Sequence, residues 1–382
     1  MTLHAEVNVS QLCKHGEELC GDNVQVTRTA DSVIVVVSDG LGSGVKANIL
    51  ATLTTKIASS MLARGASLDD VVETIAQTLP VCKERKIAYS TLQVLRIDPQ
   101  GEATLVEFDS PRTFLCRAGH VLPFPAQNRT IGGKTVLVGQ MELQENDWLT
   151  LVSDGAIHAG IGGLLPLGLG WNGVAARLAE DIAKSADTQE LCSSLLNCCE
   201  GYYLGKPGDD TTVVAVKMRR PRRVNLMVGP PASPEQDVSV VRRLLDASGP
   251  KIVCGGTTAT LVSRVLGKPL KVSLEYHDPN IPPIAHLEGI DLVTEGVLTL
   301  NAAVDRLRSA KELRQPGRMD GASRVARMLS EADHVHIWAG GAVNPAHQNP
   351  LLPAAMNIKL QVLGRLRTQL ESMGKVVHIE WV

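Results

Sequence analysis

Four short acidic motifs hold the residues that could do chemistry in this 382-residue chain. They are Gly21-Asp22, Ser38-Asp39-Gly40-Leu41-Gly42-Ser43-Gly44, Ser153-Asp154-Gly155 and Gly208-Asp209-Asp210-Thr211-Thr212. Asp39 and Asp154 each follow an apolar run, whereas Asp209 precedes one. Carboxylates gathered without partners repel one another and resist ionising. Hard divalent cations remove that cost, and a donor set made only of oxygen suits magnesium or manganese. Antiparallel neighbours set the end of one strand beside the start of the next. Asp39, Asp154 and Asp209 are therefore expected to meet at one edge of one sheet.

The elements that must position these groups are legible around them. Val33 to Val37 is a run of β-branched residues, suited to a strand packed on both faces. It ends in Asp39, and Gly40, Gly42 and Gly44 then let the backbone bend tightly. Ile49, Leu53, Ile57 and Met61 recur every four residues and predict the apolar face of a following helix. Such a strand-turn-helix also occurs in α/β proteins with no ligand there. Two nucleotide loops are excluded by spacing: Lys46 lies between Val45 and Ala47, and the glycines run G-x-G-x-G.

Further along, a second helix starts at a Ser67 cap and stops before Pro80. Strands at 91–97, 103–108 and 113–116 read as an antiparallel meander. A strand at 148–152 leads into Asp154, helices at about 172–184 and 188–203 follow, and a last strand covers 211–218. Arg219-Arg220-Pro221-Arg222-Arg223 reads as a basic linker. Beyond it strands and helices alternate, which predicts an open α/β domain over 224–382. Its Gly255-Gly256-Thr257-Thr258 corner is either an anion site at a helix N-terminus or a tight, capped turn. The Asn344 to Pro350 loop is a pocket wall or a plain connection.

Bulk properties narrow the class. A hydrophobic fraction of 44% and a charged fraction of 20% suit a globular protein of two or three domains. A net charge of -2 and 3% aromatic residues argue against nucleic acid and anionic membrane as partners. No apolar run reaches the roughly 20 residues needed to span a bilayer, and no signal peptide is read at the start, so a cytoplasmic location is expected. Cys13, Cys20, Cys82, Cys116, Cys192, Cys198, Cys199 and Cys254 lack a C-x-x-C pair and read as reduced thiols. Cys13 and Cys20 both precede the first acidic motif, and a redox pair there is the alternative reading.

Taken in order, the four motifs resemble the bacterial stage II sporulation E (SpoIIE) group of PPM-type, metal-dependent serine/threonine phosphatases, over residues 1–218. The resemblance implies an α+β fold, an αββα sandwich of two antiparallel sheets flanked by helices, followed by the smaller α/β domain. It implies two divalent metal ions, manganese or magnesium, at one end. Asp39 would bridge both, the Gly40 carbonyl would add a ligand, and Asp154 and Asp209 would complete the first ion's shell. Asp22 matches the acidic position on the other ion's side, directly or through water, and Asp210 falls outside the ligands themselves. A water activated between two cations attacks phosphorus in line, so no phosphoenzyme is needed.

Where many relatives carry an Asn-Ala-Gly-His-Pro-Pro-like corner, this chain has Phe108-Asp109-Ser110-Pro111-Arg112, which leaves the substrate contacts open. Ala118-Gly119-His120 falls one strand late, so His120 is read as a turn residue. The partner implied is a phosphorylated regulatory protein resembling an anti-sigma antagonist, with residues 224–382 as a sensor, docking or homodimerising unit. A nucleotide or phosphorylated metabolite bound there could gate the phosphatase. A catalytically inactive regulatory binding protein is the alternative, but a degenerate copy should have lost a ligand and every aspartate is present.

Overall fold

The computed structural model describes residues 2–29, 31–78, 90–184, 187–273, 278–309, 319–342 and 354–382. Pro80, Cys82 and the loop from Asn344 to Pro350 lie outside them. The chain divides into two compact units, Met1–Arg220 and Pro221–Val382.

In the first unit the described residues form two antiparallel sheets. One has the order β2-β3-β4-β5-β9-β8, from Asp22–Arg28, Val33–Asp39, Leu92–Ile97, Glu102–Phe108, Lys134–Glu142 and Gln127–Ile131. The other has the order β1-β11-β10-β6-β7, from His4–Leu12, Thr211–Arg219, Trp148–Val152, Phe114–Arg117 and His120–Pro123. Val35, Val37, Leu95 and Leu105 pack against Leu149, Leu151, Val214 and Val216 between the sheets. On the outer face of the first sheet, Ile34, Val36 and Val94 meet helices α1 (Gly44–Ala63) and α2 (Leu68–Thr78). Outside the second, Trp148, Val213 and Ala215 meet α4 (Gly170–Lys184) and α5 (Thr188–Tyr202). A one-turn helix, α3 (Asp154–Ile157), follows β10. This is the expected αββα sandwich. The run 33–37 is unbroken because alternate residues face the other sheet and the helices, both dry.

Two local expectations fail. On α1 the buried residues are small: Ala47, Ala51, Thr54, Thr55, Ala58 and Ser59, with Leu62 at the end. Of the expected apolar face, Ile57 and Met61 do pack part-buried against that core, but Ile49 and Leu53 are 52% and 50% exposed. The reason is close approach. A Cβ on Gly40 would lie 2.1 Å from the Ala47 carbonyl, so α1 enters too near the sheet for large side chains on its first turns. Polar anchors hold it there, with Asn48 donating to the Cys20 carbonyl at 2.8 Å and Thr55 to Asn23 Oδ1 at 2.7 Å. The meander also breaks after two strands. β4 and β5 pair, but β6 crosses to the second sheet and pairs with β10. The β8–β9 hairpin, absent from the sequence reading, turns on Gly132 and Gly133, both at positive φ.

In the second unit, β16-β13-β12-β17-β18 run parallel, from Leu292–Thr294, Lys251–Cys254, Arg223–Val228, His334–Ala339 and Val376–Trp381. Two short antiparallel strands, β14 (Lys271–Val272) and β15 (Ala285–His286), extend it. Helices α6 (Asp237–Asp246), α7 (Gly256–Leu266), α8 (Val297–Leu307), α9 (Gly321–Glu331) and α10 (Ala354–Ser372) complete an α/β layer structure. The arginine run is shorter as a link than expected. Arg219 still belongs to β11 and pairs with Glu6 at 2.5 Å, and Arg223 already opens β12.

Buried Arg306 of α8 bonds Asp320, which caps α9 by accepting from Ser323 N at 3.1 Å, and reaches Asp278 at 3.3 Å. Arg306→Ala strands the Asp320 carboxylate, so this unit should lose about 3–5 kcal/mol in urea denaturation.

Candidate active site

The aspartates do converge, but between the two sheets rather than along one. Asp22 and Asp39 are register partners at the ends of β2 and β3, in the first sheet. Asp154 follows β10 and Asp209 precedes β11, both strands of the second. The sheets stack face to face, so their strand ends coincide at one rim. A rule based on neighbouring strands could not foresee that crossing.

Each carboxylate is set by its local backbone. Asp39 N receives the Thr91 hydroxyl at 2.9 Å as its acceptor, and the Asp39 carbonyl accepts from Thr91 N at 2.9 Å. Ser38 bonds Ser90 and donates to the Thr91 carbonyl at 2.6 Å, fastening the tip of β3 to the start of β4. On the second sheet, Thr212 N donates to Ser153 Oγ at 2.8 Å, and Thr212 Oγ1 crosses to Asp22 Oδ2 at 2.7 Å. That bond ties the two sheets at the rim. Tyr203 donates to the Gly155 carbonyl at 2.7 Å, and a Cβ on Gly155 would lie 2.1 Å from the Asp210 carbonyl. Gly40 and Gly155 are thus required by close approach.

Asp210 is buried, and its Oδ1 accepts from Lys14 N at 2.9 Å while Oδ2 faces Gly21. Asp209 is half-exposed with Lys14 Nζ at 3.8 Å. His158, one turn beyond Asp154, stands with Nδ1 3.8 Å from Asp154 Oδ2. Lys14 and His158 were not singled out from sequence. His158 had a faint signal in its i,i+4 spacing from Asp154, and Lys14 had none.

Crowding shows in the proton affinities. Burial, then Asp22, Asp154, Asp209 and Asp210, push Asp39 up to about 9. Burial and the charges of Asp210 and Asp154 raise Asp22 to about 6, against the pull of the Thr212 and Ser153 hydroxyls. Burial and Asp209 raise Asp154. Asp22 Oδ1 and Asp154 Oδ1 are shut off from solvent with no hydrogen-bond partner. Unpartnered buried carboxylate oxygens are costly. Those two oxygens, with the Asp39 and Asp209 carboxylates beside them, form a donor set from two sheets that suits a hard cation.

Beside Asp154 opens a groove of about 700 Å³, walled by Asp109, Arg112, Asn128, His158 and Trp171. The 109–113 corner is firmly held. Arg112 pairs with buried Glu107 at 3.0 Å and donates to the Phe124 carbonyl at 2.6 Å, and Trp171 donates to the Arg112 carbonyl at 3.0 Å. His120 opens β7 after the Ala118-Gly119 turn, exposed and away from these contacts.

Gly40→Ala is expected to push α1 off the rim. Overpacking of this kind costs about 1–3 kcal/mol, readable as a lowered denaturation midpoint.

A two-sheet sandwich with aspartates gathered at its rim defines the PPM phosphatase class. The chain belongs to the family described as Stage II sporulation protein E (SpoIIE), whose model matches residues 29–219, half of the chain. Gly21-Asp22 lies before that match. The chain is 26% identical over 210 residues to "Stage II sporulation protein E" of Bacillus subtilis (strain 168), covering 54% of this chain and 24% of that protein. It thus spans about a quarter of the relative's length. Among solved structures it is similar to the PP2C phosphatase domain of Bacillus subtilis SpoIIE with a fragment of its regulatory domain, at 24% identity and TM-score 0.49. That likeness covers 57% of this chain and 64% of the other. It is similar too to the RsbU and RsbW domains of a Mycobacterium tuberculosis protein, at 18% identity and TM-score 0.49, covering 64% and 69%. No helix among the described residues is long and apolar enough to cross a membrane.

Proposed function

We propose that this chain removes phosphate from phosphoserine or phosphothreonine on a bacterial regulatory protein in the cytoplasm. The observation that carries the reading is the pair of buried, unpartnered oxygens, Asp22 Oδ1 and Asp154 Oδ1, in a cluster drawn from both sheets. Asp22, Asp39, the Gly40 carbonyl, Asp154 and Asp209 would hold two divalent cations, manganese or magnesium, with Asp39 between them. Bound there, such cations lower the pKa of a water and offset charge gathering on the phosphoryl oxygens.

The chain's own residues do the rest. Thr212 and Thr91 orient Asp22 and the Asp39 backbone, so the carboxylates need little reorganisation when charge develops. Asp210 holds the Lys14 backbone against the rim, placing the Lys14 ammonium beside Asp209. His158, which lines the groove, can carry a proton to a departing serine or threonine alkoxide. The groove receives the chain flanking the phosphoresidue, with Asp109 on its wall and Arg112 held there by Glu107.

The substrate class fits an anti-sigma antagonist-like protein. Residues 224–382 serve as a sensor or docking domain, or as the means of forming a homodimer. An inactive, purely binding role is the weaker reading, since the full aspartate set is assembled. Phosphate release from a phosphoserine peptide, with manganese and then with excess chelator, tests the proposal. Release that depends on the added metal is expected; none under either condition would sink it.

A further inference from the structure

The second unit carries a cluster that the phosphatase reading does not use. β17 and β18 are parallel neighbours, and β18 is the edge of its sheet. His336 and His378 are register partners, and Glu380 lies opposite Trp338, two residues further on. The two-residue period puts His336, Trp338, His378 and Glu380 on one face. The His336 ring stacks on Trp338 with centroids 3.8 Å apart and meets the His378 ring edge-on at 4.9 Å. Its Nε2 faces Glu380 Oε2 across 3.5 Å, shut off from solvent yet without a hydrogen bond. One donor atom from each of His336, His378 and Glu380 falls within 4.8 Å of the others.

We propose that His336, His378 and Glu380 form a binding site for a borderline transition-metal dication, zinc above all. Two imidazoles and a carboxylate suit zinc, cobalt or nickel, and not magnesium or calcium, which prefer all-oxygen sets. Three protein ligands leave a tetrahedral zinc with one position for water or an outside donor. Donor atoms around such an ion lie about 3.4 Å apart, given bonds near 2.0–2.1 Å. Closing the cluster therefore takes about an ångström of side-chain rotation. His378 is exposed and Glu380 is 29% exposed, so both have room to turn, while buried Trp338 holds the His336 ring in place.

Arg243 of α6 sets the competition. It donates to Glu380 Oε2 at 2.5 Å, holding the carboxylate when no cation is present. A bound dication must share Glu380 with that guanidinium, so removing Arg243 should tighten metal binding. An ordinary ion-pair cluster has no reason to behave that way.

The test uses the full chain, stripped with chelator and dialysed against zinc chloride in excess magnesium, with bound zinc and tryptophan emission as readouts. Excess magnesium competes for the all-oxygen aspartate cluster, so wild type and Asp39→Asn should both keep the zinc held by His336, His378 and Glu380. His378→Ala and Glu380→Gln should weaken binding about tenfold or more, since even the loss of a group supporting a ligand costs that much. Arg243→Gln should strengthen it. Zinc uptake by His378→Ala equal to wild type overturns the assignment, as does uptake lost in Asp39→Asn but kept in His378→Ala.

Discussion

Asp39→Asn should abolish manganese-dependent hydrolysis of p-nitrophenyl phosphate. The expected fall is roughly 100- to 1000-fold or more, the scale on which a single preorganised electrostatic group acts. Asp39 is the carboxylate that feels every other member of the cluster, Asp22, Asp154, Asp209 and Asp210. Asparagine keeps its shape and leaves the backbone bonds to Thr91 in place. It removes the charge and turns one acceptor oxygen into an amide donor. Steady-state rates over a range of manganese concentrations separate weakened metal binding from a lost chemical role. A variant as active as wild type at every concentration would refute the role given to Asp39.

The same substitution should stabilise the metal-free protein. The sign follows from linkage: ordinarily near 3.8, the Asp39 carboxyl is raised to about 9 in the folded state. Between those values the folded state holds a proton that the unfolded chain has released. Wild-type stability therefore falls as pH rises from about 4 toward 9. Asparagine carries no titrating proton, so its contribution stays flat. In chelator, Asp39→Asn should exceed wild type near pH 8 by about 1–3 kcal/mol, reduced from the full linkage value because neighbouring carboxylates share protons. The gap should shrink toward pH 5. With manganese the order should reverse, because the cation stabilises only a fold that binds it. Thermal melts at pH 5 and 8, with chelator and with manganese, measure all four values. A metal-free wild type more stable than the variant at pH 8 would mean that the cluster is not under strain.

Much of the site could be read ahead of the fold. Asp39, Asp154 and Asp209 stand beside apolar runs, and those runs are the strands that carry them. Gly40 and Gly155 follow their aspartates, where the backbone passes within 2.1 Å of a would-be Cβ. The strand at 33–37 was legible because five β-branched residues in a row have few alternatives. The α1 face was only half legible: Ile57 and Met61 reach the core but Ile49 and Leu53 do not, because the four-residue repeat is a local signal. Which face is buried was decided by how near Gly40 lets Ala47 come. His336, His378 and Glu380 left no mark either, since 42 residues separate the paired histidines.

The amino-acid order alone therefore marked the aspartates as candidates for chemistry, and placed Asp39, Asp154 and Asp209 at strand ends. Those properties follow from composition and period over a few residues. It could not settle that the carboxylates meet across two sheets, that α1 buries its small face, or that β6 leaves the meander. Each depends on the distance between segments far apart in sequence, and that distance is set only when the sheets stack and close their shared core.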